Sequence, residues 1–403
     1  MATLKIMGAD VWLGRPQGWR QVDVLCRDGL IDDIAPAIAA TADRIIDAKS
    51  LKLIPGVIDA QVHFRDPGNI YKEDLHTGSI ACAAGGVTTF FDMPNTSPPA
   101  TTPELIEQKK SLAAEKSIVN YAFFVGATND NIADLNAVKG VCGIKIFMGA
   151  STGSLLVYEQ AALERIFGDT DPKRVIALHC EDELRIRQRT EQYKSRTDFD
   201  VHSIVRDNEA ARLATVRAMD LARRHKHRTH ILHVSTKEEC ELFATRGEFV
   251  TAECAPHHMM MSIDDYARLK GYAKMNPSLK SPEDSKALWQ ALKDGRIDMI
   301  ATDHAPHTME EKTRASVWDV PAGVPAIENS LGLMLDAANK GQCTLEQVIR
   351  WMCEAPAEVY HLPRKGKIAK GCDADLTLID MKHKHTIYNE RQFTKVKWSP
   401  WNG

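Results

Sequence analysis

Eight short apolar runs, most of them separated by stretches of helical periodicity, dominate the middle of this chain. They begin at Val57-Ile58 and recur at residues 86–93, 120–125, 143–148, 174–179, 229–234, 249–254 and 298–303. Short buried strands that alternate with helices pair in parallel, because the crossover helices cover the sheet. Eight such units predict an α/β fold of the (β/α)8 TIM-barrel type, with a doubly wound sheet as the alternative. The barrel is preferred because polar residues collect where the strands end, which is where barrel sites are built. One intervening helix is legible in detail: it starts at Pro103, with Thr102 as its N-cap and the proline in its first turn.

The two ends of the chain read differently. Leu4-Lys-Ile-Met, Arg20-Gln-Val-Asp-Val-Leu-Cys and Leu30-Ile-Asp-Asp-Ile-Ala are short alternating runs, with Asp28-Gly29 as a hairpin signal. Residues 366–371, 374–380 and 385–388 return to the same style. The expectation is a barrel over residues 54–360, bracketed by a small discontinuous β-sandwich domain made of residues 1–53 and 361–403. Basic and acidic residues number 51 and 54 and are interspersed, for a net charge of −3, so nothing suggests a nucleic acid or an anionic membrane as partner. No apolar run approaches a membrane span and the first residues do not read as a signal peptide. The nine scattered cysteines form no Cys-x-x-Cys pair and suit a reducing cytoplasm rather than a zinc ribbon.

Chemistry-bearing residues stand at the strand ends. Asp59, Gln61, His63 and Arg65 are spaced two apart, so they project together if the strand continues. A His-x-His pair there would form a metal claw, but Gln61 takes the first position. Lys145 lies between apolar neighbours, and a buried lysine needs a partner or a function. His179, His233 and Asp303 complete the set, since imidazole and carboxylate are zinc ligands. His230 and His233 are three apart, which on a strand puts them on opposite faces; His233 is the candidate and His230 a structural residue. Asp303 is also the candidate general base and acid. Arg65, Asn95, Asn276 and His307 are candidate substrate contacts, Arg65 as a bidentate partner for a carboxylate. The segment Gly149-Ala-Ser-Thr-Gly-Ser154 reads equally as a mobile lid or an ordinary loop.

The motifs Val62-His-Phe-Arg-Asp-Pro-Gly68, Tyr71-Lys-Glu-Asp74, Met93-Pro-Asn-Thr96, Gly143-Ile-Lys-Ile-Phe-Met148, Ala255-Pro-His-His258, Asn276-Pro-Ser-Leu-Lys-Ser281, Thr302-Asp-His-Ala-Pro-His307 and Asp373-Ala-Asp-Leu376 together resemble the dihydroorotases of the cyclic amidohydrolase family. The resemblance spans essentially the whole chain. It implies a zinc-dependent, reversible cyclisation of N-carbamoyl-L-aspartate to L-dihydroorotate in pyrimidine biosynthesis. It also implies two zinc ions bridged by a carboxylated Lys145, one completed by the first claw position, His63 and Asp303, the other by His179 and His233. In that family pattern Arg65, Asn95 and His307 bind the substrate carboxylate, and Asn276 positions the ring. The alternative within the resemblance is an allantoinase- or hydantoinase-like cyclic amidohydrolase, whose ring needs no arginine for a carboxylate.

Gln61 departs from the pattern, where a histidine is expected. A carboxamide oxygen is a poor match for zinc beside imidazole. One metal instead of two, or a catalytically impaired scaffold that binds a partner such as aspartate transcarbamoylase, are therefore the alternatives to a full dihydroorotase. A homodimer is the expected assembly.

Overall fold

The chain closes a parallel barrel and hangs a small sheet on its side. The computed structural model describes residues 2–150 and 155–403; the last four residues of the segment read as a lid or an ordinary loop, 151–154, lie outside them. The chain opens with β1 (Thr3–Trp12), β2 (Trp19–Arg27), β3 (Leu30–Ala35), β4 (Arg44–Asp47) and β5 (Lys52–Pro55). Asp28 (φ 50°) and Gly29 (φ 80°) form the hairpin turn between β2 and β3, the left-handed pair that matches strand twist. Gly8 (φ 69°) sits at a register break in β1 between Ile6 and Ala9. This bulge bends the strand, so that its first half pairs with β4 and its second half with β5.

The barrel strands follow: β6 (Val57–Val62), β7 (Val87–Asp92), β8 (Asn120–Gly126), β9 (Gly143–Phe147), β10 (Ile176–His179), β11 (Thr229–Ile231), β12 (Val250–Cys254) and β13 (Met299–Ile300). They form one hydrogen-bonded path in sequence order, every neighbour parallel. Strand β14 (Leu376–Ile379) returns to the small sheet and pairs antiparallel with β5. That sheet runs β14-β5-β1-β2-β3, with β4 branching from β1. Both chain ends thus build it, around Ile6, Val11, Val24, Ile31 and Leu53.

Only one of the three strands anticipated near the C-terminus forms. Residues 366–371 are bracketed by Gly366 (φ 72°) and Gly371 (φ 80°), which turn the chain while Ile368 tucks into the core of the small sheet. Residues 385–388 lie outside any strand, and the chain beyond them crosses to the barrel. Trp398 Nε1 donates to the carbonyl of His307 at 2.7 Å, and its ring meets Tyr272 edge-on. Among the described residues, no helix is long and apolar enough to cross a membrane.

Helices cover the barrel as the sequence pattern requires. Thr102 caps Pro103–Lys116 by accepting from the Leu105 N–H. The 18-residue helix Asn208–His225 buries Ala211, Ala214, Ala218, Leu221 and Ala222, an i, i+3, i+4 stripe, and carries Arg223, Arg224 and His225 in its last turn. Its N-cap, Asp207, accepts from the Ala210 N–H at 3.0 Å and from Arg185 Nε and Nη2 at 2.8 and 2.6 Å. Burial acts to raise the Asp207 pKa, but these hydrogen bonds and the Arg185 and Arg189 charges hold it below the ordinary 3.8. Its carboxylate therefore adds stability that is complete above about pH 3.8 and is lost as the pH falls through the lower folded value. Asp207→Asn is expected to cost about 1 kcal/mol at pH 7. In urea unfolding, the difference from the unaltered chain should shrink as the pH is taken from 5 to below 3 and should not shrink toward pH 9.

Candidate active site

At the C-terminal mouth of the barrel a concavity of about 320 Å³ is lined by Gln61, His63, Arg65, Asn95, His179, His233, Asn276 and Asp303. Eight of the ten residues whose chemistry stood out at strand ends or in turns thus share its wall; Lys145 and His307 are buried behind it. Gln61 is the fifth residue of β6, and His63 and Arg65 follow where the strand ends. Arg65 (φ 61°), His233 (φ 35°) and Asp303 (φ 48°) all have left-handed backbones, conformations that non-glycine residues keep only where the surroundings enforce them. His233 lies two residues beyond β11, so strand alternation does not govern where it points. His230, inside β11, is buried and bonded to Thr251 Oγ1 and Glu253 Oε2.

The donor groups come as two pairs. In the first, Gln61 Nε2 and His63 Nε2 each stand 3.0 Å from Oδ1 of Asp303, while His63 Nδ1 lies 2.6 Å from Oδ1 of Asn95. An ionised carboxylate only accepts. The Gln61 amide must therefore turn its NH2 to Asp303, which leaves Gln61 Oε1 buried and without a hydrogen bond. If the amide oxygen of Asn95 accepts from His63 Nδ1–H, the other ring nitrogen faces Asp303 through a lone pair. Only a shared positive charge, proton or metal, makes that approach favourable. Burial opposes the charge on Asp303, yet the His63 hydrogen bond and the charges of His63, His257 and Lys145 hold its pKa below the ordinary carboxylate value.

In the second pair, His179 Nδ1 and His233 Nε2 converge to 3.0 Å. His179 Nε2 donates to Glu181 Oε2 at 2.8 Å, which turns the Nδ1 lone pair toward the cavity. Arg206 Nη1 clamps the same Glu181 oxygen. Despite its burial, Glu181 is held well below the ordinary carboxylate range by Arg206 and His179. Between the pairs lies Lys145, fully buried, its Nζ lacking any hydrogen bond and 4.4 Å from the centre of the Phe147 ring. Burial pulls its pKa down to about 7, against the opposing pull of Asp303 and Glu253, so a large share of the amine is neutral near neutral pH. Among the described residues no three His, Cys, Asp or Glu side chains converge as a ready-made metal group.

Arg65 is 4% exposed, its Nε has no hydrogen bond, and burial lowers its pKa to about 10. Among the described residues no carboxylate lies within ion-pair distance of it. Asn276 also lines the concavity, with an unpartnered Oδ1. His307 stands behind the wall: its Nε2 is 3.3 Å from Arg65 Nη2 and 3.0 Å from the Ala322 carbonyl oxygen. Sequence reasoning passed over Glu181 and Arg206, and quoted Lys72 only as part of a motif. Glu181 follows His179 by two residues, the spacing that could have flagged it. Arg206 and Lys72 lie in loops with no periodic signal. It also quoted His257 only as part of a motif; His257 is fully buried, both of its ring nitrogens are unpartnered, and burial lowers its pKa to about 4 although Asp303 pulls the other way.

Comparison with known proteins agrees with this geometry. The model of the amidohydrolase family matches residues 53–399. The dihydroorotase of Halobacterium salinarum is 37% identical over 94% of this chain and 91% of its own length. That of Methanothermobacter thermautotrophicus is 35% identical over 95% and 86%. Among solved structures, an L-hydantoinase (dihydropyrimidinase) from Arthrobacter aurescens superposes with a TM-score of 0.95 at 29% identity, covering 100% of this chain and 92% of that one.

The loop that carries Arg65 hangs on a buried ion pair. Asp92 Oδ1 accepts from the Phe64 N–H at 2.9 Å, and its Oδ2 meets Lys109 Nζ at 2.6 Å, with both side chains essentially inaccessible. Lys109→Met is expected to strand the Asp92 charge and to lower the unfolding free energy by about 3–5 kcal/mol. Urea denaturation is the check; a loss below about 1 kcal/mol would show that Asp92 does not need the pair.

Proposed function

This chain belongs to the amidohydrolase family, and within it we propose that the chain interconverts N-carbamoyl-L-aspartate and L-dihydroorotate, as a metal-dependent dihydroorotase. The observation that carries this reading is Arg65: a buried guanidinium, lacking a carboxylate partner, in the same wall as the paired donor groups. A buried cation needs an anion, and a planar fork fits a carboxylate. Dihydroorotate carries that carboxylate on the same ring as the amide that is hydrolysed; hydantoin and allantoin carry none. The hydantoinase reading draws on the fold similarity but leaves Arg65 unexplained.

The metal that family membership implies fits the residues present. His179 and His233 aim ring nitrogens at one point, His63 and Asp303 face each other across another, and Lys145 Nζ and Gln61 Oε1 are buried without partners between them. Oxygen and imidazole donors of this kind suit zinc. His179, His233 and Lys145 would hold one ion; His63, Asp303 and Lys145, with the Gln61 oxygen in place of an imidazole, would hold the other. Lys145 serves only as an anion, which its amine becomes by adding carbon dioxide and losing one proton; an ammonium cannot ligate. When bound, the metal supplies a positive centre that polarises the ring carbonyl and acidifies a water.

The chain's own residues do the rest. Arg65 grips the carboxylate, Asn95 and Asn276 orient the ring, and His307 backs Arg65. Gln61 and His63 both engage Oδ1 of Asp303, which leaves Oδ2 to take a proton from the attacking water and return it to the ring nitrogen as the amide bond breaks. Glu181 and Arg206 fix the tautomer of His179.

Two experiments test this. Arg65→Ala should raise KM for dihydroorotate by about a hundredfold and leave the opening of a carboxylate-free dihydropyrimidine ring as it was. Faster opening of the carboxylate-free ring by the unaltered protein would sink the reading. Gln61→His should raise the zinc retained after dialysis, by elemental analysis, and the ring-opening rate with it. If neither changes, Gln61 does not weaken the first metal position. The non-catalytic scaffold reading rests on Gln61 alone and requires that neither form opens the ring after loading with zinc.

A further inference from the structure

Lys72 takes no part in the roles set out above, yet it is a buried cation held by two partners behind the wall of the concavity. It is 8% exposed, and its Nζ lies 2.9 Å from His307 Nδ1 and 2.8 Å from Glu311 Oε1. His307 is 1% exposed, and its other nitrogen, Nε2, is 3.0 Å from the Ala322 carbonyl and 3.3 Å from Arg65 Nη2. The donor and acceptor roles follow from elementary chemistry. An ammonium only donates and a carbonyl oxygen only accepts. Nδ1 must therefore offer its lone pair to Lys72, and Nε2 must carry the proton, which it gives to Ala322. The ring is locked as the neutral Nε2–H tautomer. Its surroundings agree: burial first, then Arg65, Lys312 and Lys72, keep its pKa well below the ordinary imidazole value, against the pull of Glu311.

That tautomer decides what Arg65 can do. Arg65 Nη2 meets an N–H at 3.3 Å and not a lone pair, so no hydrogen bond forms between them. The guanidinium keeps its donors for a ligand in the concavity.

The competing tautomer is close at hand. Glu311 Oε2 lies 3.6 Å from His307 Nδ1, and its carboxylate is held in place by the Thr308 N–H at 3.0 Å. Without the ammonium between them, this carboxylate would draw the ring proton to Nδ1. The Nε2 lone pair would then face Arg65 Nη2 and capture it. The remaining neighbours cannot intervene: Lys312 Nζ is committed to the carbonyls of Lys274, Pro321 and Gly323, and Trp398 Nε1 to the His307 carbonyl.

We propose that Lys72 is a positioning residue that holds His307 in the Nε2–H form and thereby keeps the Arg65 guanidinium free for the substrate carboxylate. The role of Arg65 in this statement rests on the dihydroorotase reading; the tautomer lock does not.

The test separates the two. In protein labelled with ¹⁵N-histidine, the His307 signals, assigned by their loss in His307→Gln, should show Nε2 protonated in the unaltered chain and Nδ1 protonated in Lys72→Met. With dihydroorotate, Lys72→Met should raise KM about tenfold, the loss of one charge-assisted hydrogen bond from Arg65, with kcat within about threefold. Lys72→Arg, which keeps a donor, should stay near the unaltered KM. Lys72→Met combined with Glu311→Gln should recover it, because a Gln amide N–H can donate to Nδ1 and no longer pulls the proton. In an Arg65→Ala background, Lys72→Met should add nothing to KM.

An unchanged tautomer in Lys72→Met overturns the proposal, as does a KM effect that persists in the Arg65→Ala background or that Glu311→Gln fails to relieve. A switched tautomer in a protein that does not act on dihydroorotate would uphold the lock and overturn the functional reading instead.

Discussion

The first and last barrel strands meet without a regular ladder; the buried Asp59 carboxylate and an isolated bridge between Val62 and His304 hold the seam. Asp59 on β6 accepts from the Thr302 N–H at 3.0 Å and from Thr302 Oγ1 at 2.5 Å, just past β13. The His63 N–H then reaches the His304 carbonyl at 2.7 Å. Asp59 is almost wholly buried, and burial raises its pKa to about 7 against the hydrogen bonds that stabilise its charge. The seam therefore uses a group that would be costly to bury without those donors. Its consequence is local and large: Gln61 and His63 stand on one side of it and Asp303 on the other. The hydrogen bonds that unite them exist only when the barrel is closed.

The second half of the site depends on something else. Lys145, His179 and His233 come from β9, β10 and the end of β11, which are consecutive neighbours in the sheet with unbroken register. Their placement needs three adjacent strands and the Glu181–Arg206 clamp, not closure. The two halves of one concavity are thus built by different means, one by ladder and clamp, the other by the seam. Arg65, on the loop beyond the seam, is steered by buried charges on three further segments: Asp92 with Lys109 beneath it, Lys72 with Glu311 behind it, and the C-terminal segment through Trp398 and His307.

Much of this was legible in the sequence because periodicity and strand-end chemistry survive folding unchanged. The eight apolar runs became eight strands, Thr102 and Asp28-Gly29 did what their residue types favour, and Gln61, His63, Lys145, His179, Asp303, Arg65, Asn95 and Asn276 met in one place. Where the reading ran out, a long-range partner decided the outcome. Residues 385–388 alternate like a strand but have no edge to join. His233 lines the concavity, but the strand alternation that singled it out does not reach it, since its backbone has already turned left-handed. Glu181 carries only its spacing from His179 as a signal, and Lys72 and Arg206 carry none, because each of those two matters through a residue distant in sequence: Arg206 lies 25 residues from Glu181, and Lys72 lies 235 from His307.

Gln61 gains a meaning from the seam that its sequence position alone did not give. An imidazole there would have one nitrogen for a metal and one for a second partner. The carboxamide divides the tasks differently. Its N–H2 holds Oδ1 of Asp303 in the orientation that His63 also enforces, and its oxygen is left buried and unpaired beside them. The orientation of the Asp303 carboxylate is thus kept, with a carboxamide oxygen where an imidazole nitrogen would stand. The change falls on the half of the site that depends on barrel closure, and the half on consecutive strands, with His179 and His233, retains its nitrogen donors. On the proposed metal-binding reading, a substitution at the claw therefore weakens one position without disordering the other, because the two halves of the site do not share their supporting framework.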